Sequence, residues 1–108
     1  MTINLIDIDT YNLLKSLQES YPNLTYQNTR FDYPDKSKWT DEDKKQFKTV
    51  TDILRNTIEG FVEFNHFVIH KKKSYIGIRF QYPYDSSFTG VGYIKLDELL
   101  KGNKKIEE

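Results

Sequence analysis

The hydrophobic spacing of residues 40–80 changes once, at Gly60, and that switch limits the fold more than any other feature of the sequence. Before it, Phe47, Val50, Leu54, Ile58 and Phe61 recur at steps of three and four, the period of one helical face. Thr40 supplies an N-cap hydroxyl, and Asp41, Glu42 and Asp43 set carboxylates against the positive end of the helix dipole. Gly60 stands where a left-handed C-cap would close the last turn. After Gly60 the period becomes two. A turn at Lys71–Ser74 pairs Ile69 with Ile76, Phe67 with Ile78 and Asn65 with Phe80. Phe67, Ile69, Ile76, Ile78 and Phe80 then form a core face that meets the helix. The same register sends Phe64, His66, Val68, His70, Tyr75, Gly77 and Arg79 to the opposite face.

The rest of the chain reads around this unit. Residues 9–20 open with a capping aspartate, Asp9 or Asp7, and carry Leu13, Leu14 and Leu17 on one side, with Tyr21 continuing the stripe before Pro22 stops it. Leu24–Tyr33, rich in Thr and aromatic residues between two turn signals, predicts an edge-like strand, followed by a loop through Trp39. GVGYIKL predicts a further strand after the loop PYDSSFT, LDELLKG a short final helix, and NKKIEE a charged tail. The order α-β-α-β-β-β, with a short C-terminal helix, defines an α+β class. The expected architecture is one two-layer domain over residues 1–108, with a mostly antiparallel sheet and helices packed mainly on one face. The length suits a single core.

Composition narrows the functional classes. Sixteen basic residues balance 16 acidic ones, which removes the global attraction most nucleic-acid binders use and equally argues against an acidic DNA mimic. The absence of cysteine excludes disulfides, thiolate catalysis and cysteine-bearing zinc sites. The first residues lack a basic segment followed by an apolar run, and no apolar stretch reaches about 18 residues, so a soluble, cytoplasmic protein is expected. A chain with no alanine and many Lys, Asn, Ile, Tyr and Phe residues also points to an AT-rich genome or mobile element.

No familiar catalytic pattern is present. His66 and His70 share a strand face, but their backbones stand roughly 13 Å apart, too far to hold one zinc readily. HFVIH lacks the glutamate of a helical metalloprotease motif. The pairs Asp7 with Asp9 and Asp32 with Asp35, and the run Asp41–Asp43, are explained by capping, first-turn charge and turn chemistry. TGVGYIK has a GxG without the third glycine or the following helix of a nucleotide site, and no serine sits in a GxSxG elbow. No catalytic residue, metal or cofactor is therefore assigned, and a non-enzyme is expected.

What remains is a surface. Phe64, Val68 and Tyr75 at the centre of the outer hairpin face, rimmed by His66, His70 and Arg79, with Tyr84 and Phe88 from the neighbouring loop, have the composition of a protein interface. The expected function is a protein-binding module of the physical type found among inhibitors, immunity proteins and antitoxins, with a toxin or host enzyme as the kind of partner. The alternative is a nucleic-acid binder whose Lys71, Lys72 and Lys73 contact phosphate while aromatic rings stack on bases. An exposed lysine tip also has a plain role, in discouraging strand-edge aggregation. An enzyme of unrecognised type is the third reading.

Overall fold

A computed structural model of the protein describes residues 3–27, 36–82 and 85–102. Helix α1 (Ile8–Ser20) begins at Asp7, whose carboxylate accepts the Thr10 N–H at 2.8 Å. Its buried side chains are Leu14, Leu17 and Gln18. Leu13 is exposed, so the apolar stripe is narrower than the run of leucines suggested. A 3-10 turn at Pro22–Leu24 buries Leu24 and leads into β1 (Thr25–Gln27). The remainder of the expected Leu24–Tyr33 strand falls largely on residues 28–33, outside the described chain.

Helix α2 (Asp41–Thr57) starts with a reciprocal cap. The Asp43 N–H donates to Thr40 Oγ1 at 3.0 Å and the Thr40 N–H donates to Asp43 Oδ2 at 2.9 Å. The Asn23 amide also donates to Asp43 Oδ2 at 2.9 Å, and that bond, followed by the one from the Thr40 N–H, holds the Asp43 carboxyl below the usual carboxylate range. The helix ends before the expected glycine cap. Ile58 is already extended (φ −117°, ψ 118°), and Gly60, at φ +84°, shapes the turn into β2 (Phe61–His70) while its carbonyl accepts the Gln81 N–H at 2.8 Å. Phe61 is consequently the first residue of a strand and not the last of a helical stripe.

β2, β3 (Lys73–Tyr82) and β4 (Asp85–Lys95) form an antiparallel meander, and β1 adds to the free side of β2 in parallel, giving the sheet order β1-β2-β3-β4. Helix α2 is the crossover that a parallel β1–β2 pair requires. The domain is therefore α+β as expected, with a mostly antiparallel sheet.

The hairpin turn is tighter than the sequence implied. Only Lys71 (φ 52°) and Lys72 (φ 66°) lie between the paired His70 and Lys73, the two-residue geometry with both central residues left-handed. Phe67 accordingly faces Ile76, two residues from its expected partner. A slip of two leaves every side chain on its own face, so Phe67, Ile76 and Ile78 remain in the core. A bulge changes the outcome for Phe64. Successive residues of β3, Gly77 and Ile78, pair with His66 and Phe64, so Asn65 is skipped and Phe64 turns inward. A second irregularity skips Val62 and sets Phe61 opposite Phe80.

Both helices deliver their buried residues to this inner face, where Leu14 and Leu17 of α1 and Val50 and Leu54 of α2 join Phe64, Phe67, Ile76 and Ile78 in one cluster. Trp39, Phe47, Phe64 and Phe67 form a chain of rings with successive centroids 5.1, 5.2 and 5.1 Å apart, tying α2 to the sheet. Ile69 is only half-buried, opposite Ser74 near the tip, and Phe80 is half-buried against the cluster margin.

The N-terminal segment closes the assembly. The Asn4 N–H donates to the Thr57 carbonyl at 2.7 Å, the Ile6 N–H to Leu99 at 2.8 Å, and the Lys101 N–H back to Ile6 at 2.7 Å. Leu96 and Leu99 of the 3-10 turn Leu96–Leu99, where a short helix was expected, are fully buried beneath it. The Tyr11 hydroxyl donates to Asp97, linking α1 to that turn. Partial burial and this bond raise the Tyr11 phenol from 10.0 to about 12. A raised phenol stabilises the fold fully below pH 10 and loses that contribution as pH climbs from 10 to 12. Tyr11→Phe is expected to cost about 1 kcal/mol in urea unfolding at pH 8, a surface-discounted value. That difference shrinks toward zero as the pH is taken through the 10 to 12 window, and a pH-independent difference would place the bond's value elsewhere.

Candidate protein-binding face

The sheet face turned away from the helices is built of cross-strand rows. His66, Gly77 and Tyr93 form one, Val68, Tyr75 and Lys95 the next toward the hairpin tip, and Glu63, Arg79 and Val91 the one on the other side. The middle of the face is closed by ring packing. A Cβ on Gly77 would come within 3.0 Å of the Tyr93 ring and 3.3 Å of the His66 carbonyl oxygen, so only glycine lets Tyr93 lie across β3 toward β2. Tyr93 meets the His66 ring edge-on, with centroids 6.1 Å apart.

This arrangement redistributes the expected interface residues. Phe64 is in the core at 1 % exposure, a correction that follows from the Asn65 bulge. Val68 (0 %) and His66 (3 %) belong to the outer-face rows but are buried, His66 against the Tyr93 ring, and they present no surface to a partner. His70, Tyr75 and Arg79 are half-exposed. Arg79 Nη1 donates to Thr89 Oγ1 at 3.2 Å, which orients the guanidinium along the face. Phe88 is 61 % exposed at the sheet edge, Lys71, Lys72 and Lys73 are exposed at the tip, and Tyr84 lies outside the described residues.

The structure also brings in three residues that the sequence reading did not single out: Tyr93, Lys95 and Val91 of β4. Their common signal is the alternation in GVGYIKL, which places them on one face but does not say which. The β3–β4 register supplies that, setting Lys95 beside Tyr75 and diagonal to Lys73. Residues 61–95 carry Lys71, Lys72, Lys73, Arg79 and Lys95 against only Glu63 and Asp85. The neutrality of the whole chain thus conceals a basic sheet, with its excess concentrated around Tyr75 and the hairpin tip.

Among the described residues, no group of three or more His, Cys, Asp or Glu side chains could hold a metal ion, and no helix is long and apolar enough to cross a membrane. Asp7 and Asp43 are engaged as caps, and Glu42 accepts the Tyr21 hydroxyl at 3.0 Å and the Gln46 amide at 2.7 Å. No protein-family model, curated protein or solved structure matches the chain.

Proposed function

We propose that this chain is a small non-enzymatic protein-binding module of the inhibitor, immunity-protein or antitoxin type, acting in the cytoplasm and docking an acidic partner through its outer sheet face. The observation that carries the reading is the half-exposed Tyr75 set between Lys73 and Lys95, a ring flanked by cations on a face to which the helices contribute no buried residues. Such a centre removes aromatic surface from water at small entropic cost, while the lysines select a partner of opposite charge. The test is affinity capture from the native host followed by binding measurements on the captured protein. Tyr75→Ala and Lys73→Ala are each expected to weaken it about tenfold, with unfolding midpoints unchanged and Lys44→Ala on α2 binding as the wild type does. Equal affinities for all variants would move the interface off this face.

One observation favours a second reading: Lys95 lies opposite Tyr75 and two residues from Tyr93 on the same face, and a cation beside two aromatic rings also suits single-stranded nucleic acid. In that case a labelled oligothymidylate binds at about 50 mM salt and is released steeply as salt rises. Converting Lys71, Lys72 and Lys73 together to Gln leaves stability within about 0.5 kcal/mol and abolishes that binding. Absence of wild-type binding at low salt removes this alternative.

A further inference from the structure

We propose that the hairpin tip is itself a binding element, in which Lys71 and Lys72 are held in left-handed conformations so that their ammonium groups meet an extended, carboxylate-rich segment of the protein partner. This rests on the outer-face reading above and names the part of the partner that lies beyond Tyr75. The first observation is conformational. Among the described residues φ is positive at Gly60, Lys71, Lys72 and Gly102 alone. Outside the hairpin both positions are glycine, which adopts that backbone without strain. The tip has lysine at both, although this two-residue turn favours Asn-Gly and an L side chain there crowds its own backbone. Solubility does not account for the choice, because Lys73 and Lys95 carry charge at unstrained strand positions beside it. Backbone kept against its local preference concentrates where a ligand is held.

The second observation is the distribution of charge, which fixes the chemistry of the occupant. From Phe64 to Tyr84 the sequence holds Lys71, Lys72, Lys73 and Arg79 and no carboxylate. Lys95 joins the tip group through its place opposite Tyr75. The two carboxylates of the meander belong to its other end, Glu63 opposite Arg79 and Asp85 opposite Tyr82, and Asp97, beyond β4, accepts the Tyr11 hydroxyl. Among the described residues Lys71, Lys72 and Lys73 enter no ion pair. Their counter-charge has to come from outside the chain. The turn also gives these cations a direction, since a two-residue turn of this hand continues the twist of both strands and makes the tip a stiff end of the β2–β3 ribbon. Lys72 and Tyr75 are three residues apart, about 10 Å of extended chain, so a short acidic strand reaches from the ring to the tip. Cations fixed in advance lose less freedom when such a segment docks.

The probe is a labelled decaglutamate peptide, titrated by fluorescence anisotropy at about 50 mM salt, with urea unfolding measured on every variant. The wild type is expected to bind it. Lys71→Gln with Lys72→Gln should weaken binding about tenfold and leave the unfolding midpoint in place, because the charge goes and the backbone strain stays. Lys71→Asn with Lys72→Gly should weaken binding as much and raise the midpoint, since charge and strain are removed together. Lys44→Gln with Lys45→Gln, the same loss of charge on α2, should bind as the wild type does. An Asn-Gly tip no more stable than the wild type overturns the proposal. So does a wild type that fails to bind the peptide, a Gln pair that binds it unchanged, or tighter binding of oligothymidylate than of decaglutamate. If the tip fails while Tyr75→Ala still weakens a captured partner, the outer-face reading stands without it; a partner indifferent to Tyr75→Ala removes that reading whatever the tip binds.

Discussion

Replacing Phe64 with alanine is expected to lower the free energy of unfolding by about 3 to 5 kcal/mol, the range for removing a fully buried aromatic ring from a core that cannot collapse around the space. Phe64 is the link between Phe47 of α2 and Phe67 of the same strand, at 5.2 and 5.1 Å, so its loss opens a void between the two layers and also breaks the chain of rings. The measurement also tests the bulge. In an unbroken hairpin register Phe64 would stand on the outer face, away from Phe47 and Phe67, and its truncation would open no void between the helices and the sheet. Urea unfolding of Phe64→Ala beside Phe67→Ala separates the cases, since the bulged strand makes both changes large and a regular one only the second.

The second large effect concerns Gly77. Gly77→Val is expected to destabilise the protein by about 1 to 3 kcal/mol through overpacking, although valine is among the best strand formers. Its first carbon would lie 3.0 Å from Tyr93 and 3.3 Å from the His66 carbonyl oxygen, before the two branch carbons are added. Because the nearer obstacle is a movable ring, Tyr93→Ala should recover part of the loss, giving a double variant less impaired than the two single changes predict together. Gly92→Ala serves as the comparison, since its added methyl makes ordinary contact with Phe80. A Gly77→Val protein as stable as the wild type would mean that Tyr93 does not lie across β3.

These two residues also mark where the sequence stopped being legible. α2 could be read because its signals are local: Thr40 and Asp43 cap each other within one turn, and Val50 and Leu54 fall on a regular period. The inward placement of Phe67, Ile76 and Ile78 survived an incorrect turn, because a displacement of two residues preserves strand faces. Phe64 could not be placed, because a bulge at Asn65 has no residue signature in FVEFNHF and exchanges the faces of Phe64 and Glu63 before the irregularity at Val62 returns Phe61 to the inner side. The turn was misjudged for a related reason. Two-residue hairpins with both central residues left-handed favour Asn-Gly, and here lysines occupy both positions, where L side chains are strained. The outer face was only partly recognised. Its hairpin members Tyr75, His70 and Arg79 follow from alternation, but the addition of Lys95 and Tyr93 depends on a pairing between strands joined by a loop of ambiguous length.

The contacts of the N-terminal segment have a kinetic consequence. Pairing within the β2–β3–β4 meander joins residues close in sequence and can form early, whereas the bonds of Ile6 to Leu99 and Lys101 close nearly the whole chain into a loop. Such a closure carries a larger entropy cost than the meander and rests on a few backbone bonds. It is therefore the natural place for opening that leaves the sheet intact, and the Ile6 and Lys101 amides should exchange with solvent as one cooperative unit, faster than those of β2 and β3. The lifetime of that closure, more than the depth of the core, then governs how long Tyr11 remains held against Asp97.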